Sequence, residues 1–400
     1  MKSCTKFLSF LALGALFCGC SDEVGDFKGQ LIDVPLSNEV SLTAADSEIV
    51  SAMNVKSFEF FNQLVADPDG CTNFSPLSLS LCAALYANAL PESSVNQFLQ
   101  WYDVADIATF NQCANRLIRN LYQANSDNDF ALANSVWYRG LAHPTNEYRQ
   151  VVNSLFYSEV NNYDNCDANI INQWINVKTS GLLQNFADKF DFSTNDFVMI
   201  NCMYFNDGWK EEFKQDNTRK EDFHGVKATT TVDMMHGQGI EAQSYEHNGE
   251  VLIKLPFKHD AELLIYMPEK TADFATVCSN LKYDRIAEME QSLTERMIDL
   301  KIPKFEARNR MDLTYVLEQN GLNLIIAMLP GLSLEKATST AQQLSYFEID
   351  EKGATAASAT IISGWGANPT KSYEINRPFV YILKSGLTDA ILMMGAITDL

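Results

Sequence analysis

Histidine is scarce in this 400-residue chain, with His143, His224, His236, His247 and His259 making up the whole supply of five. So few imidazoles leave little material for a clustered metal centre or a His-dependent catalytic set. Strings that would announce an enzyme are missing as well, since no HExxH, P-loop, GxGxxG or GxSxG pattern occurs. Without a nucleophile elbow, and with few histidines to build a Ser-His-acid set, a serine hydrolase is not expected, and neither is a metal or cofactor. Basic charge is also short, with 30 Lys and Arg against 51 Asp and Glu for a formal net charge of −21. A surface that negative repels phosphate backbones, which argues against nucleic acid as a partner. Charged residues are 20% of the chain and hydrophobic ones 46%, too apolar for disorder and ample for a large core. No repeat at a period of about 20 to 50 residues and no Pro/Ser/Gly linker divides the body, so it reads as one domain.

At the N-terminus Lys2 and Lys6 precede an apolar run from Phe7 to Phe17, too short for a membrane span and built like an export signal. The run ends Leu16-Phe17-Cys18-Gly19-Cys20, which resembles a bacterial lipoprotein cleavage box. Small Gly19 makes Cys20 the expected lipidated residue, whereas bulky Phe17 disfavours Cys18. Simple secretion, with Cys20 discarded, is the alternative. Ser21-Asp22-Glu23 resembles the acidic tag that carries some bacterial lipoproteins to the outer surface. Residues 1–20 are thus expected to be a lipoprotein signal peptide on an exported outer-membrane lipoprotein, tethered through a lipid at Cys20 and exposed at the cell surface. Residues 21–46, acidic with Lys28 their one base and without a sustained period, read as a flexible tether with no core to join. The folded body is expected from about Ser47.

Val50, Met53, Phe58, Phe61, Leu64 and Val65 recur at helical spacing, and Asp67-Pro68-Asp69-Gly70 reads as a turn, not a calcium loop, for want of further ligands. From Ser75 to Leu90 a Ser-Pro start leads into a segment apolar on nearly every face, the pattern of an interior helix. Asn169 to Phe186 suits another helix. Strands are expected at Phe197–Phe205, Val251–Leu255, Glu262–Met267, Leu300–Phe305 broken by Pro303, Phe379–Leu383 and Ala390–Met394, with a short helix at Leu313–Leu317. Helices early and strands late make this an α+β protein. Of nine cysteines, Cys71, Cys82, Cys113, Cys166, Cys202 and Cys278 belong to the body; Cys82 and Cys202 lie in apolar runs, and no disulfide framework is expected.

One stretch breaks the pattern. From Gly353 to Thr360 every side chain is small, uncharged and unable to anchor a core. Taken alone it is a bland surface loop, but the chain around it resembles the serpin family. Asn73-Phe74-Ser75-Pro76-Leu77-Ser78 resembles the start of the family's buried second helix, and Trp174-Ile175-Asn176 with Thr179 and Gly181 its sixth. Asn201 to Phe205, Gly208-Trp209 and Phe213 resemble its central strand and the tryptophan at the sheet's opening. Thr218, Phe223, Met234-Met235, Leu255-Pro256-Phe257, Ile302-Pro303-Lys304-Phe305, Glu351-Lys352-Gly353 and Asn376-Arg377-Pro378-Phe379 follow in the family's order.

The resemblance implies a serpin domain over 47–400, with about nine helices, three β-sheets and an exposed reactive-centre loop at about 351–372. It also implies a metastable suicide substrate: a serine protease attacks the loop, and the cut loop inserts into the large sheet before the acyl-enzyme is hydrolysed. The hinge would be Glu351, Lys352, Gly353, Ala354, Thr355, Ala356, Ala357, Ser358, Ala359 and Thr360. By the family's register Ala354, Ala356, Ser358, Thr360 and Ile362 turn inward and their neighbours outward. Fourteen residues beyond Gly353 the scissile bond falls at Ala367-Asn368, suited to an elastase-like pocket; the alternative Trp365-Gly366 would draw a chymotrypsin-like enzyme. With no Lys or Arg between Gly353 and Pro369, trypsin-like targets are not expected. Ser75, Ser78, Asn201, Trp209 and Gln343 would form the sheet-opening region, Gln343 standing where many members carry His and able both to donate and to accept. Residues 85–125 hold only Arg116 and Arg119 as bases, too few for heparin activation. A monomer is expected. The competing reading is a non-inhibitory serpin, a binding or chaperone-like protein that proteases cut as a plain substrate.

Overall fold

The computed structural model describes residues 27, 29, 31–36, 41–65, 72–127, 129–164, 168–181, 183, 193–324, 327–353 and 371–400. Among these are nine α-helices: α1 (Ala44–Leu64), α2 (Pro76–Ala87), α3 (Asn96–Trp101), α4 (Ile107–Ala124), α5 (Asn146–Leu155), α6 (Ala168–Lys178), α7 (Phe274–Asn280), α8 (Tyr283–Gln291) and α9 (Thr314–Gln319). The strands are β1 (Thr72–Phe74), β2 (Asp129–Tyr138), β3 (Glu159–Asn162), β4 (Phe197–Asn206), β5 (Arg219–His224), β6 (Thr229–His247), β7 (Glu250–Pro256) and β8 (Ala261–Met267). They continue with β9 (Thr294–Pro303), β10 (Phe305–Asp312), β11 (Ala327–Leu329), β12 (Leu334–Ala337), β13 (Ser339–Ile349), β14 (Lys371–Glu374), β15 (Phe379–Ser385) and β16 (Ile391–Ile397).

Three sheets result. One has five strands in the order β10-β13-β4-β2-β3, and a second runs β1-β16-β15-β8-β7-β6-β9-β14 with β5 paired to β6. The third is the β11-β12 pair. Between the two large sheets lies α2, all of whose residues are buried, so it needs no polar face. It starts where the Ser-Pro pair demands: Ser75 Oγ accepts from the Ser78 amide at 3.2 Å and Pro76 occupies the first turn, where its missing N–H costs nothing. On the opposite face of the five-stranded sheet, Ile171, Trp174 and Ile175 of α6 share a buried cluster with Trp137 of β2, Val198, Ile200 and Cys202 of β4 and Leu344 of β13, Trp174 meeting Trp137 edge-on at 6.4 Å.

Most expected elements are present with shifted ends. Pro303, which cannot donate to a ladder, closes β9, and β10 begins at Phe305. The β7–β8 and β15–β16 pairs are antiparallel. The helix expected from Asn169 ends at Lys178, short of Phe186. Cys82 and Cys202 are buried, as expected, and burial pushes the Cys82 thiol up to about 12. Cys20, Cys71, Cys166 and the turn at Asp67–Gly70 lie outside the described residues.

Among the described residues of 21–46, the expectation of a tether with no core to join is corrected. α1 starts at Ala44 because Thr43 and Asp46 form a capping box, and the buried Asp46 carboxylate accepts from Arg116 Nε at 2.7 Å and Nη2 at 2.6 Å. Further upstream, Ile32 N–H donates to Glu159 Oε1 at 2.8 Å, Phe27 meets Trp137 edge-on at 6.3 Å, and Val34 packs on the main core. Buried acids and the edge of the buried Trp137 supply partners that composition alone does not reveal.

Candidate functional site

β4 and β13 form the parallel centre of the five-stranded sheet, in register over eight pairs from Ser339↔Phe197 to Tyr346↔Tyr204. Beyond Tyr346 the two part: Phe347, Glu348 and Ile349 stay paired to β10, at Ala307, Glu306 and Phe305, but not to β4. The sheet is therefore notched at the end where both strands finish.

The segment after β13 closes over that notch. Asp350 and Gly353 exchange backbone hydrogen bonds of 2.8 and 3.3 Å, making a tight turn, and Gly353 bridges Gly208 just past β4. Gly353 has φ +128°, and a Cβ there would lie 2.4 Å from the Asp207 carbonyl oxygen and 2.5 Å from the Trp209 nitrogen, so only glycine fits. Trp209 stacks on Phe257 at 4.4 Å between centroids, its indole N–H donates to the Asp350 carbonyl at 2.9 Å, and its backbone N–H donates to that of Lys352 at 2.9 Å. Glu351 is buried; its carboxylate accepts from Thr218 Oγ1 at 2.6 Å and Lys304 Nζ at 2.9 Å. Burial opposes its ionisation, but these two donors win and hold the carboxyl below its usual range. Beside them the buried Asp207 accepts from His259 N at 3.0 Å and lies 2.7 Å from its Nδ1.

Behind the seam, on the α2 side, runs a row of amides. Gln343 Oε1 accepts from Ser75 N–H at 2.9 Å and its Nε2 donates to the Ser75 carbonyl at 2.8 Å. Asn201, directly opposite Gln343 in register, turns the other way and donates from Nδ2 to Asn134 Oδ1 at 2.8 Å. Gln343 thus ties β13 to the start of α2, Asn201 ties β4 to β2, and the bonds of both lead away from the seam. Ser78 supplies its backbone N–H to Ser75, while its hydroxyl has no protein partner.

Of the residues expected at the opening, the structure brings together Ser75, Ser78 and Gln343 on one side, Trp209 with Glu351, Lys352 and Gly353 at the top, and leaves Asn201 on the far side of the seam. Ala354, Thr355, Ala356, Ala357, Ser358, Ala359, Thr360, Trp365, Gly366, Ala367 and Asn368 lie outside the described residues. Sequence reasoning missed Asn134, whose signal is a lone amide inside the apolar strand Ala131-Leu132-Ala133. It noted Lys304 and Thr218 without giving them their task of holding Glu351.

A central parallel seam notched at one end, a helix buried behind it and a glycine turn docked at the notch make up the serpin architecture. A family model described as Serpin (serine protease inhibitor) matches residues 51–400, and the chain belongs to that family. It is similar to neuroserpin of Rattus norvegicus, 24% identical over 396 residues that cover 93% of this chain and 96% of that one. Antithrombin-III of Mus musculus is 27% identical over 243 residues, 57% of this chain and 52% of its own. Among solved structures, a thermophilic serpin, Tengpin, in the native state superposes with a TM-score of 0.80 at 17% identity, covering 92% of this chain and 98% of that one.

Proposed function

We propose that this protein is a suicide-substrate inhibitor of serine proteases, elastase-like ones foremost, and that it works by opening the β4–β13 seam. The observation that carries the reading is the seam itself: two parallel strands whose opposed amides bond away from each other, with a glycine turn docked at the notch. A strand descending from Gly353 would run antiparallel to both neighbours and exchange one parallel ladder for two antiparallel ones. β13 has 11 residues, so full insertion carries the cut end about 36 Å at roughly 3.3 Å per residue.

The protease serine attacks the Ala367 carbonyl carbon, the bond to Asn368 breaks and its amine leaves, and an ester joins the inhibitor to the enzyme. Insertion then drags the tethered enzyme along the sheet and distorts its active site before water can cleave the ester. The inhibitor contributes no catalytic group. Small Ala354, Ala356, Ser358 and Thr360 are what inward positions of an entering strand require. The protein is placed, as a monomer, at the outer-membrane surface by a lipid on Cys20; labelled palmitate that still enters a Cys20→Ser form would remove that part of the reading.

The deciding experiment is incubation with a panel of serine proteases. An SDS-stable complex with elastase, and a released fragment whose mass starts at Asn368, is the expected result. Clean cutting without a complex would instead identify a non-inhibitory serpin, and a fragment starting at Gly366 would move the bond to Trp365.

A further inference from the structure

A cavity of about 480 Å³ opens between the turn after β5, the stretch joining β8 to α7 and the stretch joining β14 to β15. That volume falls within the range of small-molecule sites, about 300–1,000 Å³. Hydrogen bonds fix its walls before any ligand arrives. His224 N–H donates to the Asn376 carbonyl at 2.8 Å, Val226 N–H to that of Thr398 at 2.9 Å, and Arg377 Nη2 to that of Pro268 at 2.6 Å. Phe274, Pro378 and Val226 give it apolar surface.

Its charges are unequally satisfied. Other cations drawn partly out of water each have a carboxylate: Arg116 has Asp46, Lys178 has Glu159 and Lys384 has Glu290. Arg377 lines the cavity half-buried, and among the described residues no carboxylate pairs with it and Nε and Nη1 make no hydrogen bond. Burial pulls its pKa below the usual guanidinium range, yet a guanidinium stays charged at any physiological pH. A partly desolvated charge without a counter-ion costs free energy that a bound anion recovers. Lys270, exposed in the same wall, also has no ion-pair partner among the described residues. The two acids at the cavity, Glu269 and Asp273, are exposed and already accept hydrogen bonds, Glu269 Oε1 from Thr271 Oγ1 at 2.7 Å and Asp273 Oδ2 from Thr276 N–H at 2.8 Å. They leave Arg377 unpaired, but they repel a second negative charge on any ligand.

We propose that this cavity is a binding site for a small monocarboxylate with a compact apolar body, its carboxylate on Arg377 and its body against Phe274, Pro378 and Val226. A carboxylate is the anion that a guanidinium holds through paired N–H···O bonds at the cost of only one negative charge. The site does not rest on the inhibitor reading, and its test involves no protease.

Calorimetric titration of the full chain with 2-naphthoate should show saturable binding at one site per chain. The neutral 2-naphthamide should bind at least tenfold more weakly, and inorganic phosphate in tenfold excess should not displace the naphthoate. Arg377→Gln deletes the charge and should weaken binding at least tenfold. Because Arg377 also supports the Pro268 carbonyl, Val226→Asp serves as a second variant. It sets a negative charge on a wall position that is 63% exposed, so the melting temperature should hold while binding weakens at least threefold. Any one of four results overturns the proposal: no saturable binding, equal affinity for the amide, displacement by phosphate, or wild-type affinity in either variant.

Discussion

Replacing Gln343 by Met tests whether the seam is where the molecule parts. Met keeps the unbranched shape and nearly the volume, so the change deletes two hydrogen bonds without opening a cavity. The consequences for Ser75 are unequal. Its carbonyl still accepts from Leu79 N–H at 3.1 Å within α2, whereas its N–H, satisfied by Gln343 alone, is left buried and unpaired. One orphaned donor costs about 1–3 kcal/mol and the second lost bond about 1 kcal/mol, for a total of about 2–4 kcal/mol. In a domain of this size each kcal/mol moves the unfolding midpoint by about 1–3 °C, so the native protein should melt about 3–10 °C lower. The bond lies wholly on the β13 side, so loop insertion does not break it. Loop-cleaved Gln343→Met protein should therefore be destabilised by a similar free energy, and the stoichiometry of inhibition should stay within twofold of wild type. Calorimetry of native and cleaved forms, with titration against a trapped protease, measures all three. If only the native form is destabilised, or the stoichiometry changes severalfold, Gln343 gates the opening and the assignment of its bond to one side is wrong.

Gly353→Ala should undock the hinge turn, because the new Cβ meets backbone atoms that cannot give way; a cost of about 1–3 kcal/mol from the positive φ alone should appear as faster exchange of the Trp209 amide and red-shifted tryptophan emission. Ala354→Arg should convert inhibitor to substrate, since an unpaired guanidinium at the first inward position costs several kcal/mol to bury; cutting should persist while the covalent band vanishes, and a mutant that still traps at wild-type stoichiometry refutes insertion from this hinge. Asp46→Asn should cost about 2 kcal/mol at neutral pH and change the acid limb of stability. Burial opposes ionisation of Asp46, yet Arg116 and Thr43 hold its carboxyl down to about 2. A folded value below the unfolded one of about 3.9 stabilises fully above about pH 4 and is lost as pH falls toward 2. The variant should match wild type near pH 2 and fall behind it above pH 4 in urea titrations; an equal deficit at both would mean that charge is not the cause.

The turn at Asp350–Gly353 and the start of α2 were legible from residues whose chemistry is unusual for their place. Glu351-Lys352-Gly353 stands out because charge and a glycine interrupt the approach to a run of small side chains. Ser75-Pro76 stands out because the two together start a helix that then shows no polar face. The docking of Phe27, Ile32 and Val34 was not legible, because a buried carboxylate 127 positions from Ile32 holds it there, and a stretch that short carries no period. Asn134 escaped for a related reason: an isolated amide in a strand says that it needs a partner but not which one, and Asn201 becomes that partner only through the β2–β4 register. Helix α4 is a different case, since Phe110, Cys113, Leu117, Ile118 and Leu121 carry its buried face at readable spacing and Asp106 caps it.

The same geometry explains why a native fold of this kind can hold work in reserve. At the seam eight parallel pairs join β4 to β13, where an inserted strand would make a ladder on each of its edges. Replacing one ladder by two adds on the order of ten backbone hydrogen bonds, and at about 1 kcal/mol net each the gain rivals the whole stability of an ordinary domain. Under the proposed mechanism nothing thermodynamic would keep the seam closed; a barrier would. Its parts would be local and separately removable: the Gly353 turn wedged against Asp207 and Trp209, Glu351 held by Thr218 and Lys304, and α6, clustered with Ile200 and Leu344. Each loosens a different stage of entry, the first two at the notch and the third at mid-sheet. Lesions at the notch should therefore speed the first contact of the loop with the sheet, whereas lesions under α6 should speed only the later travel of a protease already bound.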